Sequence, residues 1–181
     1  LPIYRSLVLS PNHRWLVARW SRIDHPPVTE VRDAFTGEFL LSLSDGFPLE
    51  IPEGDAWPLP ERFSALGRDG STPIHGIIIR PSHFDPSMKY PVIEEIYAGP
   101  HGHFVPKTWT ALPRQHTVAE MGAIVVQIDG MGTNWRSRAF HDVAWRNIKD
   151  AGFPDRIAWM KAAAVGRPWM DLSRVGVYGG S

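Results

Sequence analysis

The chain has 181 residues, 43% of them hydrophobic and 21% charged, with 19 Lys plus Arg balancing 19 Asp plus Glu. This globular composition with zero formal net charge offers no electrostatic handle to nucleic acid or an anionic membrane surface. Cysteine is absent, which excludes disulfides and thiolate metal sites, and no apolar run reaches the length of a membrane span.

The first residues, LPIYRSLVLSPN, lack the charged start and apolar core of a signal peptide and do not begin with Met. Leu1 is therefore read as an internal position of a longer or processed protein. Residues 1–44 read as short strands. SLVLS turns at Ser10-Pro11-Asn12-His13, RWLVARW leads through the polar, Pro-rich DHPP into VTEVRDA, and FTGEFLLSL turns at Thr36-Gly37. This spacing predicts an antiparallel sheet of the kind found in a propeller blade. No second copy of the unit is visible, so the expectation is the last blade of a series. Trp15 and Trp20 suit contacts between blades. Residues 45–61, rich in Pro and Gly and without periodicity, form the expected linker.

From 62 onward the pattern is α/β. RFSALG and IHGIIIRP flank Arg68-Asp69-Gly70-Ser71, a hairpin-like turn. YPVIEEIYA is a third strand. Its adjacent Glu94 and Glu95 must face opposite sides, so they are read as strand-end charges and not as a carboxylate pair. WTALPRQHTVAEMG is helical over its later part, starting near Pro113, with Leu112, Val118 and Met121 apolar and Gly122 as the stop. AIVVQIDG is an uninterrupted apolar run, as in strands buried on both faces. FPDRIAWMKAAAVG is a helix with Asp155 at its positive end; Ile157, Met160 and Ala164 are expected on one face and Trp159 in packing. RVGVYGGS closes the chain as a strand. Strand, helix, strand, helix, strand is a doubly wound α/β order.

Several candidate sites read as structural. Asp129-Gly130-Met131-Gly132 lacks the Gly-x-Gly-x-x-Gly spacing of a phosphate loop and is expected as a turn at a strand's carboxyl end. His101-Gly102-His103 has no marked third ligand and reads as a polar loop, so no metal and no cofactor is expected. Gly179-Gly180-Ser181 follows a strand, which is the first half of the Gly-x-Ser-x-Gly turn that exposes a nucleophilic serine at the rim of an α/β sheet.

From about Phe63 onward the chain resembles the prolyl oligopeptidase family of serine peptidases, in its dipeptidyl peptidase IV branch. The residues that carry the resemblance are RDGSTPIHGIIIRPSHFDPSMKYPVI, IYAGPHG, VVQIDGMGTNWRSRAFHD and DLSRVGVYGGS, in the family's order and spacing. The resemblance implies a partial α/β-hydrolase with a mostly parallel sheet over 62–181, preceded by the end of a β-propeller. It implies Ser181 as the nucleophile and Tyr97 as the donor whose hydroxyl holds the oxyanion. All eight histidines precede Ser181, whereas α/β-hydrolases order the triad as Ser, Asp, His. The triad Asp and His are thus not in this chain; Asp142, Asp150 and Asp155 are expected at helix ends or on the surface.

The implied function is hydrolysis of peptide bonds, dipeptidyl or oligopeptidyl and with a post-proline option, through an acyl-enzyme, with this segment inactive alone. The alternatives are an esterase or acyl-aminoacyl hydrolase of the same fold, or a non-catalytic propeller–hydrolase interaction module. The implied partners are a peptide substrate, the remainder of the same protein and a second copy of it, with no nucleic acid and no membrane span. Export to a periplasmic or secreted location is the expectation for compartment. The last strand is expected to be an apolar edge.

Overall fold

The structure is a computed structural model that describes residues 3–46, 58–111 and 113–180. Most of the expected linker, Leu112 and Ser181 lie outside the described residues. The chain divides into two compact units, Leu1–Ala56 with Pro106–Leu112, and Trp57–Val105 with Pro113–Ser181.

The first unit holds a four-stranded antiparallel sheet in the order β1-β2-β3-β4. Its strands are β1 (Ile3–Leu9), β2 (Trp15–Arg22), β3 (His25–Asp33) and β4 (Phe39–Ser44). The Pro-rich DHPP segment differs from expectation: Pro26 and Pro27 lie inside β3. They are tolerated there because β4 reaches only as far as Thr29, opposite Ser44, so no ladder bond is lost on that side. Ala18 and Ile23 are buried, as is Glu30, whose carboxylate accepts from Arg32 Nε at 2.7 Å.

The second unit is a five-stranded mixed sheet in the order β5-β6-β8-β7-β9. The strands are β5 (Glu61–Leu66), β6 (Pro73–Ile79), β7 (Tyr90–Glu95), β8 (Ile124–Asp129) and β9 (Met170–Tyr178). The hairpin makes β5 and β6 antiparallel, and β6 runs antiparallel to β8. β7 pairs in parallel with both β8 and β9. β8 is buried along its whole length, as its unbroken apolar run requires. Helices α1 (Arg114–Ala119), α2 (Arg138–Asp142) and α3 (Phe153–Val165) complete the unit, with a 3-10 turn at Ile148–Asp150. Helix α2 and the 3-10 turn are too short to carry sequence periodicity, although Ser137 caps α2 by accepting from Phe140 N at 3.2 Å. Among the described residues no helix is long and apolar enough to cross a membrane.

The buried face of α3 is Arg156, Trp159, Met160 and Ala163. Ile157, expected inside, is 48% exposed. The helix is turned so that Arg156 and Trp159 each meet a partner inside. Trp159 has no exposed surface, stacks edge-on against Phe63 at 5.3 Å and donates its indole N–H to Phe63 O at 3.3 Å. Around it lies the core of Ile74, Ile78, Val92, Ile124, Val126 and Ile128.

Asp155 starts the same helix and is fully buried. Its carboxylate accepts from Arg68 N at 2.8 Å, Arg68 Nε at 3.1 Å, Arg68 Nη2 at 2.9 Å and Met131 N at 2.9 Å. The β5–β6 turn, the turn after β8 and the start of α3 are thereby pinned to one group. The carboxylate is buried because its lone pairs are all engaged by N–H donors. Arg68 also forks onto Asp150 at 2.6 and 2.9 Å. Gly130 and Gly152 meet under this knot: a Cβ on Gly152, at φ 69°, would sit 2.9 Å from Gly130 Cα. In β9, Val175 and Val177 are 47% and 58% exposed, and β7 is the strand's neighbour within the described sheet.

Two stability predictions follow from Arg68 and its acids. Asp155→Asn leaves Arg68 without its buried counter-charge and is expected to cost about 3 kcal/mol, read as a lower urea midpoint. Asp150 is held below the usual carboxylate range by its hydrogen bonds to Arg68, against a smaller upward push from burial. A depressed folded-state value stabilises above the ordinary carboxylate pKa and is lost as pH falls through the folded value. Asp150→Asn is therefore expected to lower the melting temperature at pH 7 and to flatten its decline below pH ~4. An acid profile parallel to that of the unaltered protein would refute this.

Candidate active site

The candidate residue Tyr97 lies just past the carboxyl end of β7, beside that of β9. Ile96 N donates to Tyr178 O at 2.9 Å, which extends the parallel pairing one step past β7. Gly179 then passes so close that a Cβ would lie 2.1 Å from Ile96 O. Only glycine permits that approach, so this position of the Gly-Gly pair has a packing reason. Gly180 follows, and Tyr97 stands across from it at the end of the neighbouring strand.

Tyr97 is set by its own loop. Its ring lies 4.5 Å from that of Phe104 and 5.7 Å, edge-on, from His101. Phe104 is fixed in turn, because its N–H donates to Asp129 Oδ1 at 2.7 Å and Val105 N donates to the same carboxylate at 3.2 Å. His141 Nε2 hydrogen-bonds Pro100 O at 2.8 Å, which places its proton on that nitrogen. The expected turn at Asp129–Gly132 is present, and its aspartate clamps the aromatic loop. His101 and His103 lie in that same loop, His101 against Tyr97 and His103 edge-on to Trp135 at 6.1 Å.

Two cavities flank Tyr97. One of about 550 Å³ is lined by Tyr97, Ala98, Ile148, Phe153, Tyr178 and Gly180 among others. The second, of about 350 Å³, is bounded by Glu95, Tyr97, Phe104, Arg114, Gln127 and Gly180. Both volumes fall in the range of small-molecule sites. The Tyr178 hydroxyl is pushed up by burial, with the Arg114 charge opposing.

Glu94 and Glu95 face opposite sides of β7, as adjacent strand residues must, but neither is a solvated strand-end charge. Glu94 is 3% and Glu95 5% exposed. Glu94 accepts from Arg156 Nη1 at 2.5 Å, and Glu95 pairs with Arg114. Desolvation without a partner would cost each carboxylate several kcal/mol, so each face supplies its own guanidinium. The roles of Arg114 and Arg156 are missed by sequence reading. A signal for Arg156 exists, since it shares a helical face with Trp159 and Ala163.

Of the sequence-derived site residues, Tyr97 lies at the strand end and lines both cavities, while Ser181 lies outside the described residues. Its neighbour Gly180 lines both cavities with Tyr97. Asp155 is buried within the fold; Asp150 is held by Arg68, and Asp142 pairs on the surface with Arg138 at 3.1 Å.

Residues 109–181 match the family model for the Prolyl oligopeptidase family. A protein of Emericella nidulans named probable dipeptidyl-aminopeptidase B is 34% identical over 121 residues, which is 67% of this chain and 13% of that protein. Its namesake in Aspergillus fumigatus is 31% identical over 128 residues, 70% of this chain and 14% of that protein. A solved structure from Bacteroides ovatus, assigned as a dipeptidyl aminopeptidase IV, superposes with a TM-score of 0.81 at 28% identity, over 98% of this chain and 25% of that one. Dipeptidyl peptidase 4 of Porphyromonas gingivalis shares the fold with a TM-score of 0.74 at 24% identity, over 96% of this chain and 24% of that one. The chain thus spans between a tenth and a quarter of the relatives it matches. Propeller-type antiparallel strands followed by part of an α/β-hydrolase sheet, with matching relatives in sequence and in fold, make this chain a member of the prolyl oligopeptidase family, of the dipeptidyl peptidase IV-like kind.

Proposed function

We propose that the protein is a serine peptidase that releases short peptides from a chain end through an acyl-enzyme, with Ser181 as nucleophile and Tyr97 as oxyanion donor. The observation that carries the reading is the shared lining: Tyr97 and Gly180 border the same cavity, at the carboxyl ends of parallel neighbours. In α/β sheets that edge is where ligands bind. The name dipeptidyl-aminopeptidase B in the fungal relatives supports the dipeptidyl form.

Ser181 Oγ attacks the scissile carbonyl carbon while a histidine outside these 181 residues takes its proton. The carbonyl oxygen becomes an oxyanion, and the Tyr97 hydroxyl donates to it. A preorganised donor at that point is worth about 3 kcal/mol of barrier. Collapse expels the amine, which takes the proton from the histidine. Water, deprotonated by the same base, then cleaves the ester and frees Ser181. The aromatic clasp of His101 and Phe104 limits the rotation of Tyr97, so little reorganisation is needed as charge develops.

The 181 residues by themselves are proposed to be inactive, because a serine hydroxyl without its base is a weak nucleophile at neutral pH. The antiparallel sheet of the first unit is proposed as a closing propeller blade.

In the full-length protein, Tyr97→Phe is expected to lower kcat on a Gly-Pro anilide about 100-fold with KM little changed. Ser181→Ala is expected to lower it by about 10⁴-fold or more. Wild-type turnover by either variant would refute its assigned role. Faster cleavage of an acetyl-Ala anilide than of the Gly-Pro substrate would move the protein to acyl-aminoacyl hydrolysis. Rapid labelling of Ser181 by a phosphonate in the isolated 181 residues would overturn their proposed inactivity.

A further inference from the structure

Arg156 and Glu94 form an ion pair whose side chains are 1% and 3% exposed. Such a pair is a poor device for stability alone, because two apolar side chains of similar volume commonly serve as well or better. Burial pushes the Glu94 carboxyl up, and the Arg156 charge opposes that push. Arg156 also makes a second bond that no apolar residue replaces: its Nε donates to Ala151 O at 2.8 Å. Ala151 closes the 3-10 turn at Ile148–Asp150 in a left-handed conformation, φ 48°. A side chain other than glycine holds that conformation only where its surroundings impose it.

That turn is a wall of the site. Ile148 and Ala151 line the 550 Å³ cavity together with Tyr97. On its other side the turn borders Ala98 and Pro100 across a small pocket with room for about one water. The turn and the loop that follows Tyr97 thus share two pockets, this one and the 550 Å³ cavity. Glu94 lies on β7, the strand that leads into Tyr97. One guanidinium thus ties the Tyr97 strand to the wall opposite, and its planar fork sets the distance between them.

We propose that Arg156, anchored by Glu94, is a positioning residue for the Tyr97 site, holding the Ile148–Ala151 wall in register with the strand end that carries Tyr97. The inference rests on the reading of Tyr97 as oxyanion donor. Arg156 touches no reacting atom; it acts through the Ala151 carbonyl and the Glu94 carboxylate.

The test uses the full-length protein with three variants: Glu94→Met combined with Arg156→Met, Arg156→Lys, and Tyr97→Phe as reference. Melting temperature, kcat and KM on a Gly-Pro anilide, and amide exchange over 97–101 and 147–152 are measured. The double variant is expected to melt close to wild type, because the buried charges leave together. Its kcat is expected to fall about 10- to 100-fold with KM changed less than about threefold. Exchange over 147–152 is expected to quicken about 10-fold or more, as the turn loses its anchor. Arg156→Lys keeps the charge but not the fork, and its kcat is expected between the two. Wild-type kcat and wild-type exchange in the double variant would overturn the proposal. If the double variant does not fold, Arg156→Lys decides: unaltered exchange and kcat overturn it, while slower turnover at wild-type melting temperature supports it. The exchange readout needs no catalysis. It therefore decides the role of Arg156 even where Tyr97→Phe leaves kcat untouched and the oxyanion reading falls.

Discussion

A carboxylate with no exposed surface, that of Asp155, organises the second unit. Its partners come from the β5–β6 turn, 87 residues earlier in the chain, and from the turn after β8. Each backbone N–H it receives would otherwise be an unsatisfied donor near a helix start. Because Asp155 lies in the first turn of α3, the helix cannot slide or rotate without losing these bonds. The helix therefore presents Arg156 and Trp159 inward at fixed depth, one toward β7 and the other toward β5. The direction of the helix dipole favours a negative group at this end as well.

The site inherits its geometry from this arrangement. β7 carries a buried glutamate on each face, and each has its own arginine from a different helix. Burying a carboxylate on each face, one of them with its arginine buried too, is a costly way to build a strand. It gives directionality that packing alone does not, because a hydrogen bond prefers an angle as well as a distance. The strand end so held carries Tyr97, and Gly179 lets the neighbouring strand come into backbone contact just there.

How much of this is legible in the sequence differs by kind of feature. The strands are, because their signal is local: the unbroken run AIVVQID and the alternation of RFSAL each encode their own burial. The strand-to-glycine ending of β9 and the Tyr-Ala-Gly-Pro segment are legible too, through short motifs. The buried charges are not. Glu94 and its arginine lie 62 residues apart, and Asp155 and Arg68 lie 87 apart. Nothing local marks a charge as paired, so each reads as surface until the fold brings its partner. The exposed Ile157 has the same origin, since α3 is oriented by the partners of Asp155, Arg156 and Trp159, all of them distant in the chain. Pro26 and Pro27 read as a connection, and only the staggered end of β4 lets them sit in a strand.

The strand order carries a consequence for synthesis. β7 is flanked by β8 and β9, both of which leave the ribosome after it. While those strands are still being made, both ladders of β7 are open, and so are its two acidic side chains. In the nascent chain those carboxylates are hydrated and mutually repelling, which discourages the open edges from pairing with a neighbouring polypeptide.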